Sequence, residues 1–320
     1  MRPLPVEVIS LPPILETIHF MIAWRCNAAC IMCPQHVLRE QGTIAKATLS
    51  TEDFRSILRL YRDTLRNVTL SGPGEPMMHP EYTGMINVLL TEPPVRGWGA
   101  INAITNGSLL HKHPEILELP GMLTVSFDAA DAAMFESIRQ LDYKLVVRNL
   151  ATAIARRRPW RQVGINMVVL KRNAGMVFDT IKFAHSLGAS YVMLSRGQLL
   201  HTTEADGEEL SPDDLGVNEQ IARARQAFPG YQLLSYFRPE DVTAARAAPH
   251  CMVPWGEIVV THEGRFVPCC RVYDMKPIDL GSWRDGDPWH GAKLSRLRQQ
   301  IVAHAIDPVE FSVCAECPTR

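Results

Sequence analysis

Short apolar runs alternate with amphipathic stretches over the first two thirds of the chain. Ile18, Phe20, Met21 and Ile22 form the first run and lead into Trp24, so a strand is predicted over 17–23. Ser50-Thr51-Glu52-Asp53 is a capping-box-like helix start. Phe54, Ile57, Leu58 and Tyr61 then fall on one helical face. Buried strands are predicted over 68–71, over 101–105 ending at the turn pair Asn106-Gly107, and over 123–127 ending at Asp128. Helices follow near 131–138 and 143–156, and a strand over 164–170. The next helix carries Val177, Ile181 and Ala184 and stops at Gly188, a residue that readily takes the left-handed turn closing a helix. After a strand over 191–194, Ser211-Pro212-Asp213-Asp214 opens a helix with Val217, Ile221, Ala224 and Phe228 on its inner face.

The pattern amounts to six strand–helix units. A complete eight-unit barrel takes about 250 residues, so six need about 190, close to what these units occupy. The predicted fold class is therefore α/β, a partial (β/α)6 TIM-like barrel, with an open doubly wound sheet as the alternative. The tail reads differently. A strand over 255–261, the turn His262-Glu263-Gly264 and a return strand over 265–268 make a β-hairpin, and a helix with Leu294, Leu297 and Ile301 follows. A boundary near 235 divides a barrel, residues 1–234, from a small hairpin-plus-helix domain, residues 235–320.

Composition changes the picture little. Of 320 residues, 46% are hydrophobic and 21% charged, as in ordinary globular chains. A net charge of -1 gives no general attraction to nucleic acid or to an anionic membrane. No stretch reaches the about 18 apolar residues of a membrane span. The first residues also lack the basic start, apolar stretch and cleavage site of a signal peptide. A cytoplasmic protein is expected, and there cysteines serve as ligands or reactive groups rather than disulfides.

The eight cysteines are clustered. Cys26, Cys30 and Cys33 form C-x3-C-x2-C, and none follows until Cys251, Cys269, Cys270, Cys314 and Cys317. Three close thiols can wrap one small inorganic object. Structural zinc usually takes four protein ligands. An iron–sulfur cluster held by three thiolates leaves one iron open, which suggests chemistry rather than structure. Other special residues sit at the C-terminal ends of the predicted strands, where such folds place their chemistry. They are Gly72, Gly74 and Glu75 in Ser71-Gly72-Pro73-Gly74-Glu75-Pro76, then Asn106, Asp128 and Arg196. The two glycines allow a backbone to approach a ligand closely, and Glu75 suits an ammonium group.

CNAACIMC resembles the cysteine signature of the radical SAM superfamily, and SGPGEP resembles that family's GGEP motif. The resemblance covers roughly residues 15–230. It implies that Cys26, Cys30 and Cys33 hold a [4Fe-4S] cluster whose open iron binds S-adenosylmethionine. It also implies reductive cleavage to a 5′-deoxyadenosyl radical that abstracts a substrate hydrogen. Met32, Gly72, Gly74, Glu75, Pro76 and Asn106 are then placed around that cofactor, with Gly74-Glu75 facing its amino group. Ser126 and Asp128 become ribose contacts, and Asn166 and Val168 adenine contacts. Met32 stands where an aromatic is common, and Pro73 replaces the first glycine of GGEP, removing an N–H.

The tail is similar to the twitch domain, the one-cluster short form of the SPASM domain. That resemblance implies a second [4Fe-4S] cluster on Cys251, Cys269, Cys314 and Cys317, with four-cysteine zinc as the other reading. Full SPASM domains need more cysteines than the five present. Cys270 is then either a buried thiol on the opposite strand face or a hydrogen-atom donor to a substrate radical. The arrangement resembles aminocyclitol dehydrogenases of antibiotic pathways. It implies oxidation of a secondary alcohol on a sugar, aminocyclitol or nucleoside, with Arg196 anchoring cofactor carboxylate or substrate. Epimerisation, decarboxylation and dehydration are alternatives, as is modification of a peptide, whose enzymes often carry a further domain ahead of the barrel. A flavodoxin or ferredoxin is the implied electron donor.

Overall fold

The computed structural model describes residues 13–42, 46–197, 205–210, 215–235, 251–270, 278–315 and 317. Strands β1 (Thr17–Met21), β2 (Asn67–Ser71), β3 (Ala100–Thr105), β4 (Gly121–Ser126), β5 (Arg161–Val169) and β6 (Tyr191–Arg196) are the six predicted units. They pair in chain order and in parallel. A seventh strand, β7 (Gln232–Ser235), adds to β6. The helices are α1 (Pro34–Glu40), α2 (Thr51–Leu60), α3 (Tyr82–Thr91), α4 (Ala132–Arg139), α5 (Tyr143–Arg156), α6 (Val177–Ser186) and α7 (Leu215–Ala227). This is the α/β partial barrel the periodicity predicts. The helix start assigned to 211–214 lies outside the described residues.

Local chemistry accounts for the element ends. Ser50 caps α2 by accepting from Asp53 N at 3.0 Å. Asp131 and Asp142 cap α4 and α5 in the same way. Between β3 and β4 only 3-10 turns form, at Leu110–Lys112 and Pro114–Glu118. Pro114 breaks any longer helix there.

Strand alternation divides the sheet into two faces. Ile18, Phe20, Leu70, Val125, Ile165 and Leu194 lie on the face packed into the main core and are buried. The opposite face turns into the barrel and is largely polar. It carries His19, Ser71, Asn102, Thr124, Ser126 and Asn166. Gly164 leaves room there for Tyr191, because a side chain at 164 would stand 2.7 Å from the tyrosine ring. The Tyr191 hydroxyl bridges across to Thr124 Oγ1 at 2.6 Å.

The C-terminal hairpin is joined to the barrel. β8 (Glu257–Val260) pairs in parallel with β1, and β9 (Phe266–Val267) pairs antiparallel with β8. The nine strands make one sheet with β1 in its interior. Helices α8 (Ala292–Val302) and α9 (Ser312–Ala315) complete this end. Leu294, Leu297 and Ile301 face inward as predicted.

Candidate radical site and auxiliary cysteine centre

The cysteine loop leaves β1 and is laced to the loop after β2. Gly74 N donates to Ala23 O at 3.0 Å, and Glu75 N to Arg25 O at 2.7 Å. This contact explains both glycines. A Cβ at Gly74 would lie 2.1 Å from Arg25 O, and one at Gly72 would lie 2.8 Å from Ala23 O.

The three early thiols come together. Cys33 N donates to Cys30 O at 2.9 Å, closing a tight turn. Burial, with Cys33, Asp128 and Cys26 nearby, pushes the Cys30 thiol up to about 11 against the opposing pull of Arg139. Crowded thiols of this kind ionise when a metal supplies the positive charge. Among the described residues, no three His, Cys, Asp or Glu side chains converge on a single ion, as a zinc knuckle would require. Cys26 Sγ accepts from Ala28 N at 3.4 Å and from Asn106 Nδ2 at 3.9 Å. Asn106 also bonds Asn27 Oδ1 at 2.9 Å, and Asn27 bonds Ser108 Oγ at 2.9 Å.

Glu75 is turned inward. Its Oε1 accepts from Thr105 Oγ1 at 2.7 Å and Met77 N at 3.2 Å, and its Oε2 accepts from Asn106 N at 2.7 Å. Only 2% of the residue is exposed, and burial raises its carboxyl above the usual range despite these donors. Glu75 thus braces the end of β3 and caps the 3-10 turn that begins at Pro76.

Asp128 is fully buried and bound to Arg139, the last residue of α4. Arg139 Nη2 lies 3.0 Å from Oδ1 and Nε 2.5 Å from Oδ2. Oδ1 also accepts from Val168 N at 2.8 Å, and Asn173 Nδ2 donates to the Asp128 carbonyl at 3.0 Å. The carboxylate is thereby committed inside the protein. Ser126 and Asn166 are register partners on the barrel face, and Ser195 Oγ donates to Asn166 Oδ1 at 2.7 Å. Met32 and Val168 pack on one small apolar cluster of Ile31, Ile138, Leu170 and Ala205. Arg196, at the end of β6, donates through Nη2 to Leu210 O at 2.6 Å, so part of its fork holds a neighbouring loop.

At the other end of the chain, Cys251, Cys314 and Cys317 meet. Burial first, then Cys251 and Cys317, push the Cys314 thiol up to about 12. Cys269 and Cys270 follow β9, and Cys270 is half-buried against the main core. Val267 stands opposite Val259, which stands opposite His19. Cys269 therefore lies toward the N-terminal end of β1, whereas Cys26 follows its C-terminal end. Cys26 and Cys269 thus lie toward opposite ends of the barrel wall at β1.

Sequence reasoning missed Arg139, Asn27, Asn173 and Ser195. One signal for Arg139 was available. It falls four residues after the buried Phe135, on the inward face of its helix.

A Radical SAM superfamily profile matches residues 22–184, and a SPASM iron-sulfur cluster-binding domain profile matches residues 251–318. A probable GTP 3',8-cyclase of Saccharolobus islandicus is 26% identical over 292 residues, covering 85% of this chain and 89% of that protein. The tungsten-containing aldehyde ferredoxin oxidoreductase cofactor-modifying protein of Pyrococcus furiosus is 25% identical over 280 residues, covering 80% of this chain and 71% of its own. Among solved structures, Streptococcus suis SuiB bound to S-adenosylmethionine superposes with a TM-score of 0.71 at 12% identity, covering 97% of this chain and 70% of that one. Native anSMEcpe with bound AdoMet gives 0.70 at 16% identity, covering 88% and 82%.

Proposed function

The chain belongs to the radical SAM superfamily and carries a SPASM iron–sulfur domain, and from that premise we propose that it takes a hydrogen atom from a small polar metabolite, a sugar, aminocyclitol or nucleoside, and oxidises a secondary alcohol. When bound, the two [4Fe-4S] clusters and S-adenosylmethionine supply a carbon radical that takes the carbinol hydrogen and an acceptor for the remaining electron, the hydroxyl proton passing to solvent and a ketone leaving. Cys26, Cys30 and Cys33 hold the first cluster, and Cys251, Cys269, Cys314 and Cys317 the second. Their thiols fit this load because they lie close enough for Cys33 and Cys26 to act on Cys30, and for Cys251 and Cys317 to act on Cys314, without three side chains converging on one ion. The Gly72–Gly74 backbone offers its carbonyls to the cofactor's amino group, with Glu75 fixing the loop from behind. Met32 and Val168 form an apolar bed suited to the adenine, and Ser126 and Asn166 present a hydroxyl and an amide on the barrel face.

One observation carries the choice of substrate. The barrel face presents hydroxyl and amide groups, and among the described residues its inward strand positions hold no Lys or Arg. Ile104, on the same face, is 40% exposed, so the lumen is open. Such a wall hydrogen-bonds a polyol but does not neutralise a triphosphate. The placement of Cys26 and Cys269 toward opposite ends of β1 also supports the reading, because a substrate in the lumen would lie between those ends. The relatives named GTP 3',8-cyclase support a nucleoside-sized substrate.

The test incubates the anaerobically reconstituted enzyme with S-adenosylmethionine, reductant and carbon-deuterated sugars, aminocyclitols and nucleosides, with a peptide library in parallel. Deuterium in 5′-deoxyadenosine from one of the small alcohols, with a ketone product, is expected. Transfer from peptides alone would overturn the reading in favour of peptide modification. An inverted alcohol instead of a ketone would make the enzyme an epimerase, and Cys270 its candidate hydrogen donor.

A further inference from the structure

We propose that Arg139, held by Asp128, is a positioning residue that sets the reduction potential of the cluster bound at Cys30. The inference rests on Cys26, Cys30 and Cys33 being the ligands of the first cluster. Arg139 Nη1 donates to Cys30 Sγ at 3.7 Å, and the Arg139 carbonyl lies 3.8 Å from the same sulfur. Next to it, Ile31 N donates to Ile138 O at 3.0 Å. The C-terminal turn of α4 is therefore stitched to the middle of the cysteine loop by backbone and side chain together.

The guanidinium is nearly inaccessible to water, with 8% of the residue exposed, and its counter-charge is the buried Asp128. The pair has no net charge, but it has a direction. Its positive end touches the sulfur, and its negative end faces Val168 N on β5. A reduced cluster carries one more electron than an oxidised one, spread partly onto its thiolates. A fixed cationic donor at one thiolate favours the reduced form, and water cannot screen it at this depth. Groups behind the ligands commonly tune metal centres in this way. Neutral donors reach Cys26, from Asn106 and Ala28, whereas Cys30 receives the charged one. Lysine would keep the charge but not the planar fork that serves carboxylate and sulfur at once.

Removing Arg139 alone strands a buried carboxylate and endangers the fold. The experiment therefore compares the full-length reconstituted enzyme with Arg139→Lys and with the double variant Asp128→Asn/Arg139→Gln, which leaves no lone charge. Iron per chain is measured first. An anaerobic redox titration then follows the reduced-cluster EPR signal that changes on adding S-adenosylmethionine. The double variant is expected to keep its iron while the reduced-to-oxidised ratio at a fixed potential falls at least tenfold, a shift of about 59 mV for one electron. Arg139→Lys should fall between it and the parent. An unchanged potential with full iron would overturn the inference, and so would loss of iron from both variants, which would make the pair a cluster-loading device. If the parent itself gives no signal that responds to S-adenosylmethionine, the ligand assignment fails instead, and the two failures are distinct.

Discussion

Single side chains in this protein are often committed inward where their position at a strand end suggested a ligand. Glu75 and Asp128 each spend their oxygens on neighbouring elements. Arg196 keeps donors beyond the one given to Leu210, and on the functional reading it anchors cofactor or substrate. Arg196→Lys should lower turnover at least tenfold, about 1.4 kcal/mol, with iron content unchanged. Normal turnover in Arg196→Ala would move substrate anchoring to the C-terminal domain. His19 offers a test of burial. Its ring, bonded to Ser71 in the barrel, titrates near about 4 because burial disfavours its charged form. The unfolded chain takes up that proton near 6.5, so folding stability falls as the pH drops below 6.5 and levels off below about 4. Between pH 7.5 and 5.5 His19 should cost about 1.4 kcal/mol. Denaturant unfolding of the parent and His19→Gln at both pH values measures it, and an equal slope in the two proteins would refute it.

At the scale of elements, the loop after β2 and the cysteine loop form one object, because their backbones touch at Gly72 and Gly74. Gly74→Ala forces a Cβ into the Arg25 carbonyl, and backbone cannot rotate away as a side chain can. The variant should be destabilised by about 3 kcal/mol or more and should lose iron from the first site before the second, which thermal melts and iron analysis will show. The sequence made this partnership only half legible. Strands were readable because each is a short apolar run between turn signals, and the cysteine spacing stood out at once. The lacing was not, since hydrogen bonds between loops leave no periodic trace. Arg139 was legible only through its spacing from Phe135, because a cation at a helix C-terminus otherwise reads as a dipole-matched surface charge. The pairing of β8 with β1 was hidden for a related reason. Parallel partners distant in sequence share no turn that could announce them.

Across the whole molecule, the two cysteine groups should behave independently in loading and together in catalysis. Replacing Cys26, Cys30 and Cys33 with Ala should abolish S-adenosylmethionine cleavage. Replacing Cys314 and Cys317 should remove about four of about eight irons per chain and end product formation, while leaving some uncoupled cleavage. Iron assays and chromatography of 5′-deoxyadenosine separate these outcomes, and cleavage at the normal rate in the first variant would refute the assignment of those ligands. The hairpin's place on β1 has a consequence of its own. Strand β1 has a ladder on each flank, to β2 and to β8, so its amides reach solvent only when one of those ladders opens. In deuterated buffer the amides of β8 should exchange on the same slow clock as those of β1 and β2, set by global unfolding rather than by a local hinge. The C-terminal segment then unfolds with the barrel as one cooperative unit.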